Sequence, residues 1–224
     1  MPMKKRKSKK KDSQFLEILA AKARKSPAFD SKASLLEQVL ENLLSEGEDR
    51  PELARSVMEG LMKDFVDWNE ARVSAADRIV PHFSALKDPE YKAKAVQALL
   101  GKIFSRSGSL EHQFLIDMET EALEDYLAGI MELREDTRKN LMLRVMNRPT
   151  LPITARHEII LERVGTMFTL GDEQIKKTLL EHPPAVLDGI KNLLDTVLDK
   201  YCLDAPRCAR CPLKPVCVYS EDHG

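Results

Sequence analysis

The chain has 224 residues, 43% hydrophobic and 32% charged, with a formal net charge of -1 and only 9 glycines. That length can bury a sizeable core in one large or two small domains, and high Leu, Ala, Glu and Lys with few β-branched runs points to helices. No apolar stretch reaches the roughly 18 residues a membrane span requires, and the basic N-terminus has no apolar segment behind it, which excludes a secretory signal; a soluble, cytoplasmic protein is the expectation, nucleoid-associated if bacterial.

The chain opens on Lys4, Lys5, Arg6, Lys7, Lys9, Lys10 and Lys11, seven positive charges without an acidic residue among them. Removing them from the formal net charge of -1 leaves about -8 on the remainder, so the tail and the body differ in sign. Residues 1–12 are therefore expected to be a disordered basic tail that binds polyanions by releasing counterions from a phosphate backbone. A merely solubilising tail is the plainer alternative.

Apolar residues then recur at helical spacing almost without interruption. Phe15, Leu16, Ile18 and Leu19 begin a first helix that ends before Pro27. Leu35, Leu36, Val39, Leu40, Leu43 and Leu44 mark a second, started by Ser31. A third opens near Pro51 and runs through Leu53, Val57, Leu61 and Phe65, proline being well suited to a helix start. Further helices are expected from Ser74 to Leu86, Pro89 to Phe104, Thr120 to Met131 and Asp136 to Met146. Others cover His157 to Phe168, Asp172 to Leu180, and Pro184 to Tyr201. Pro149 and Pro152 exclude a helix between Asn147 and Thr154, which reads as an extended connection. Strand alternation and sequence repeats are absent, and the fold class is all-α.

Cys202, Cys208, Cys211 and Cys217 are the only cysteines and read C-x5-C-x2-C-x5-C. Four thiolates this close in sequence can wrap one metal centre, and Pro206, Pro212 and Pro215 reduce the entropy lost on closing the loop. Thiolate-only ligation fits zinc or an iron–sulfur cluster. Zinc sites more often pair two tight knuckles, and here there is one tight pair between two wider gaps, which favours a 4Fe-4S cluster. Arg207, Arg210 and Lys214 lie in the same loop, either compensating an anionic cluster or offering a phosphate-contacting edge.

With these cysteines the sequence resembles the endonuclease III family of the helix-hairpin-helix DNA glycosylase superfamily, whose chains end in a C-x6-C-x2-C-x5-C loop. The match is one residue short in the first gap and includes Cys211, Pro212 and Leu213. It extends collinearly over roughly residues 14–220. Leu43, Leu44 and Ser45 resemble a Leu-Leu-Ser that precedes a DNA-probing glutamine. Tyr91 to Ala95 resembles a Tyr-x-x-Lys-Ala helix start, and Asn140 to Leu143 an Asn-Val-Val-Leu. Pro149, Thr150, His157, Arg163 and Val164 are similar to the family's Pro-Thr and His-x-x-Arg-Val. The resemblance implies two helical lobes, a 4Fe-4S cluster held by the four cysteines, DNA as partner, no membrane, and a monomer. The lobes would be residues 32–150, with a degenerate helix-hairpin-helix, and residues 13–31 plus 151–224, carrying the cluster.

Several positions depart from the family's pattern. The glycine-rich hairpin that binds a DNA phosphate aligns with Met131 to Lys139, which has no glycine and carries Glu132, Glu135 and Asp136. The Schiff-base lysine aligns with Thr137, the catalytic aspartate with Thr154 and the glutamine with Gly47. Threonine supplies neither the imine-forming amine nor the activating carboxylate. Lys139 is the fallback amine, but two residues along a helix turn a side chain to nearly the opposite face. The expectation is a DNA-binding relative of base-excision glycosylases, its glycosylase/AP-lyase chemistry lost or altered. The alternatives are an active enzyme using a displaced lysine, and a metal-stabilised interaction protein without a DNA role. Trp68 reads as an anchor between helices or a stacking platform, and His82, His112, His157, His182 and His223 as surface or packing residues.

Overall fold

The computed structural model describes residues 9–23, 33–48, 50–165 and 173–223. They divide into two compact units, one of Met1–Pro27 with Pro149–Gly224 and the other of Ala28–Arg148. Helices with short turns make up the secondary structure, and no strand occurs among the described residues.

The Ala28–Arg148 unit holds α2 (Leu35–Ser45), α3 (Glu52–Asp64), α4 (Trp68–Val73), α5 (Ala76–Ile79), α6 (Pro89–Ser107), α7 (Phe114–Asp117), α8 (Thr120–Ala128) and α9 (Glu135–Asn140). The α2 start is a capping box: Ser34 Oγ accepts from the Glu37 N–H, and Glu37 Oε2 accepts from the Ser34 N–H at 2.6 Å. The cap is thus Ser34 rather than Ser31, which lies outside the described residues. One face of α2, Leu36, Val39, Leu40, Leu43 and Leu44, is buried in a core shared with Leu61 of α3, Leu99, Leu100 and Ile103 of α6, and Leu141. This is the expected outcome of apolar residues recurring at helical spacing.

Several expected helices are shorter or divided. Ser74 to Leu86 becomes α5 followed by a tight 3-10 turn over Val80–Phe83, because Pro81 has no N–H to continue the α-helical ladder. Thr120 to Met131 stops at Ala128, and Asp136 to Met146 becomes α9 followed by a wider π turn over Leu141–Val145. Trp68, unassigned to any helix from the sequence, opens α4 behind the N-cap Asp67 and packs half-buried against the core.

The Met1–Pro27 and Pro149–Gly224 unit holds α1 (Lys9–Lys22), α10 (Glu158–Val164), α11 (Glu173–Leu180), α12 (Pro184–Lys200) and α13 (Val218–His223). Because α1 begins at Lys9, the backbone of Lys9–Asp12, expected as the end of a disordered tail, is helical. Lys4, Lys5, Arg6 and Lys7 lie outside the described residues. Phe15, Leu16 and Leu19 bury the inner face of α1, which packs on α12 through Leu187, Ile190, Leu194 and Val197 among others. Helix α10 ends on Gly165 at φ +78°, the left-handed C-cap that glycine adopts freely. A side chain there would also place a Cβ 2.7 Å from Val218 Cγ2, so this glycine lets α13 approach the end of α10. Replacing Gly165 with alanine is expected to destabilise the protein by about 2–3 kcal/mol through strain and overlap together, read as a lowered denaturant midpoint.

Candidate functional site

In the Ala28–Arg148 unit, polar side chains gather where the loop after α2 meets the start of α6 and of α9. Lys92, on the first turns of α6, is buried and donates to Leu44 O at 2.7 Å, closing the C-terminus of α2, and to Glu48 Oε1 at 2.5 Å. Glu48 Oε1 also accepts from the Lys87 N–H, and Lys87 Nζ donates to Gly47 O. The loop Glu46–Gly47–Glu48 is thereby fastened to α6 at several points. A buried ion pair of this kind is costly to break from one side, because the remaining charge is left without water or partner.

Thr137, the position aligned with the family's lysine, is completely buried on α9. Its hydroxyl lies 2.5 Å from Glu46 Oε2 and 2.6 Å from Tyr91 Oη, and Tyr91 Oη accepts from the Arg134 N–H. Burial pushes the Tyr91 phenol above its ordinary range, with hydrogen bonds to Thr137 and Arg134 acting the other way. The Arg134 guanidinium covers the Tyr91 ring at 3.8 Å and pairs with Asp88 at 2.8 Å. Lys139 is also buried, its Nζ 3.7 Å from Glu135 Oε1 one turn earlier. It is not brought to the Thr137 cluster by any recorded contact.

The turn joining α8 to α9 buries Ile130 and Leu133 and leaves Met131 91% exposed, with Glu132 exposed beside it. No residue of this turn has a positive φ, which among the described residues occurs only at Gly47, Asp88, Gly108, Asn147 and Gly165. A cradle of backbone N–H groups for phosphate depends on such glycine-type geometry, and this turn does not build one.

Thr154 belongs to the other unit, where it caps the short turn Ala155–His157. Its N–H donates to His157 Nδ1 at 3.1 Å, so the ring proton sits on Nε2 and is donated to Asp195 Oδ1 at 2.9 Å. Asp195, on α12, also accepts from the buried Lys191 at 2.9 Å and pairs with Arg156 at 3.2 Å. Burial alone raises the Asp195 carboxyl, but the His157 hydrogen bond and the Lys191 charge outweigh it and lower the group to about 2. His157 thus organises charge from inside the unit, where the sequence reading placed it among surface or packing residues. The sequence signal was the Asp and Lys spaced at 188, 191, 195 and 199, which puts one charged stripe on α12.

The cysteines follow α12 directly. The Cys202 N–H donates to Val197 O at 2.7 Å, and successive tight turns link Cys208 to Cys211, Cys211 to Lys214, and Lys214 to Cys217. Leu213, Val216 and Cys217 are buried, fixing the loop from inside, while Arg207, Arg210 and Lys214 are exposed. Arg163, from α10, donates through Nη1 to Cys202 Sγ at 3.3 Å and to the carbonyls of Cys202 and Leu203, and its own carbonyl accepts from the Cys217 thiol at 3.4 Å. All four thiols are free of disulfides. Burial pushes the thiols of Cys211 and Cys217 up, and the charges of the other cysteines add to this. No three Cys, His, Asp or Glu side chains among the described residues converge tightly enough to hold a single metal ion.

No protein-family model and no curated protein sequence matches the chain. Among solved structures it is similar to a trapped endonuclease III–DNA covalent intermediate, with a TM-score of 0.62 and 14% identity over 96% of this chain and 98% of the other. A non-covalent endonuclease III–DNA complex matches with a TM-score of 0.62 and 14% identity over 99% of this chain and 98% of that one. A thermostable thymine-DNA glycosylase matches with a TM-score of 0.60 and 11% identity over 95% and 98%. The likeness is one of fold: this all-helical chain shares the endonuclease III fold along nearly its whole length. No helix of the described residues is long and apolar enough to cross a membrane.

Asp195 makes the first unit sensitive to acid. Its depressed carboxyl contributes stability that is complete above the ordinary aspartate range near 4 and lost as pH falls towards about 2. Asp195→Asn is expected to cost roughly 2 kcal/mol at neutral pH and to flatten the loss of stability between pH 4 and 2, measured by denaturant unfolding across that range.

Proposed function

We propose that this chain is a DNA-binding relative of base-excision glycosylases that carries a 4Fe-4S cluster and has given up imine-forming lyase chemistry. The observation that carries the reading is Thr137. At the position aligned with a reactive lysine stands a buried hydroxyl, hydrogen-bonded to Glu46 and Tyr91. An amine nucleophile needs access to the abasic sugar and a free lone pair. Lys139, the fallback, is buried beside Glu135 and lacks that access. The DNA-binding part rests on the nearly full-length likeness to structures of endonuclease III with DNA.

The donor set of the C-terminal loop fits a cluster. Four free thiols share one short loop with one tight Cys-x2-Cys pair between two wider gaps, the spacing that favours a cluster over a pair of zinc knuckles. When bound, such a cluster supplies iron–thiolate bonds that hold the loop folded. Cys202, Cys208, Cys211 and Cys217 would ligate it, and Arg163 would orient the Cys202 corner through its hydrogen bond to sulfur. Arg207, Arg210 and Lys214, all exposed, would contact phosphate, with Lys4, Lys5, Arg6, Lys7, Lys9, Lys10 and Lys11 adding non-specific affinity. Such a protein would work as a monomer in the cytoplasm, on the nucleoid.

Anaerobically purified protein is expected to be coloured, with iron and acid-labile sulfide, and Cys208→Ala to lose both; colourless protein holding zinc would replace the cluster by zinc. With a duplex bearing an abasic site, a band shift without a borohydride-trapped adduct is expected, and a covalent adduct would overturn the loss of the amine. Deleting residues 4–11 should weaken binding and reduce its salt dependence while leaving part of the affinity. Complete loss of binding on that deletion would favour an interaction protein whose body has left DNA.

A further inference from the structure

A cleft of about 500 Å³ lies between α10, α12 and the first gap of the cysteine loop. That volume falls in the range of small-molecule sites, roughly 300–1,000 Å³. Its apolar walls are Ile159 of α10, Leu198 of α12, and Leu203 and Ala205 of the gap. Of the four cysteines only Cys202 lines it, so the cleft lies beside the cysteine set rather than within it.

Hydrogen bonds hold the gap in shape without any ligand. The Arg207 N–H donates to Tyr201 O at 2.8 Å, which ties the two ends of the gap together. Arg163 donates to the carbonyls of Cys202 and Leu203. Asp204 and Arg207, both exposed, line the same cleft. Neither side chain has a hydrogen-bond or ion-pair partner among the described residues, so the two are not paired with each other.

Opposite charges that share an apolar cleft without neutralising one another fit a flat ring with donors on one edge and acceptors on the next. Guanine has that form. Its N1–H and N2 amine donate side by side to the two oxygens of a carboxylate, and its O6 and N7 accept from two N–H groups of a guanidinium. Adenine and cytosine offer a carboxylate one amine, and thymine one N–H. We propose that this cleft binds a guanine base, with Asp204 on N1–H and the N2 amine, Arg207 on O6 and N7, and the aliphatic walls against the ring faces. The proposal rests on the DNA-binding reading above in taking the base from an unpaired nucleotide of a strand, since base pairing occupies the edge that Asp204 needs. With Arg207 on the base, Arg210 and Lys214, which do not line the cleft, carry the neighbouring phosphate contacts.

The test is fluorescence anisotropy of the anaerobically purified full chain with oligothymidylates that carry one central guanine, hypoxanthine, adenine or xanthine. The guanine strand is expected to bind about tenfold tighter than the hypoxanthine strand, which lacks only the N2 amine. Asp204→Asn is expected to lose that preference and to favour xanthine, whose C2 carbonyl accepts from the new amide. Ile159→Trp, outside the loop, is expected to fill the cleft and abolish the preference, with thermal unfolding and visible absorbance as wild type. Equal affinity of wild type for the guanine, hypoxanthine and adenine strands would overturn the assignment and leave the DNA-binding reading standing. A guanine preference unchanged by Asp204→Asn would also overturn it. Guanosine monophosphate, with adenosine monophosphate as control, separates the two sources of the ring. If it displaces the guanine strand, the site also takes the free nucleotide; if it does not, the site requires the strand. Binding of the free nucleotide with no strand bound would keep the assignment and sink the DNA-binding reading, and binding of neither would overturn both.

Discussion

The arrangement of the cysteine-bearing unit depends on one carboxylate. Asp195 receives His157 on one oxygen and Lys191 on the other, with Arg156 also paired to it and to Asp199. Lys191 and His157 are buried, and neither could be kept there without a counter-charge or acceptor. Asp195 thereby sets the tautomer of His157, which fixes Thr154 at the start of its turn. It also locks the register of α12 against the chain that leads into α10. The cysteine loop begins about two turns beyond this anchor, where the Cys202 N–H caps the end of α12. Arg163, from α10, meets the loop from the other side.

The second unit shows how neighbouring side chains agree. Thr137, the acid at the end of α2 and the glycine-free turn before α9 could each be read in isolation. In the structure the first two are hydrogen-bonded to each other, and Arg134, on the same turn as the acidic residues, covers Tyr91. A lysine at 137 would have to share that buried space with Tyr91, whereas a hydroxyl fits between an acid and a phenol. The hairpin, lacking left-handed residues, instead buries Ile130 and Leu133 and turns Met131 and Glu132 outwards. A phosphate would meet side-chain charge there rather than backbone donors.

The cysteine loop combines opposite electrostatic demands. Burial, with the charges of neighbouring cysteines, discourages the Cys211 and Cys217 thiols from ionising, and thiolates are what a metal centre requires. In the proposed cluster-bearing state a bound metal centre would resolve that conflict by compensating the charge, and folding of the loop would then depend on metal loading. The exposed Arg207, Arg210 and Lys214 lie outside that inner balance and give the loop a positive outer edge.

The sequence by itself determined the helical class, because apolar spacing such as Leu36, Val39, Leu40, Leu43 and Leu44 permits one buried face only in a helix. It also determined the extended break at Pro149 and Pro152, where ring geometry forbids a helix regardless of surroundings. The C-x5-C-x2-C-x5-C spacing singled out the loop, since neighbours in sequence are necessarily neighbours in space. What only the tertiary structure decided were partnerships across long separations. Glu46 meets Thr137 91 residues away, Lys92 meets Glu48 across 44, and His157 meets Asp195 across 38. Spacing along one helix carries no information about such pairs, because they depend on how separate helices cross. The same holds for the early end of α10, where the approach of Val218 makes Gly165 necessary.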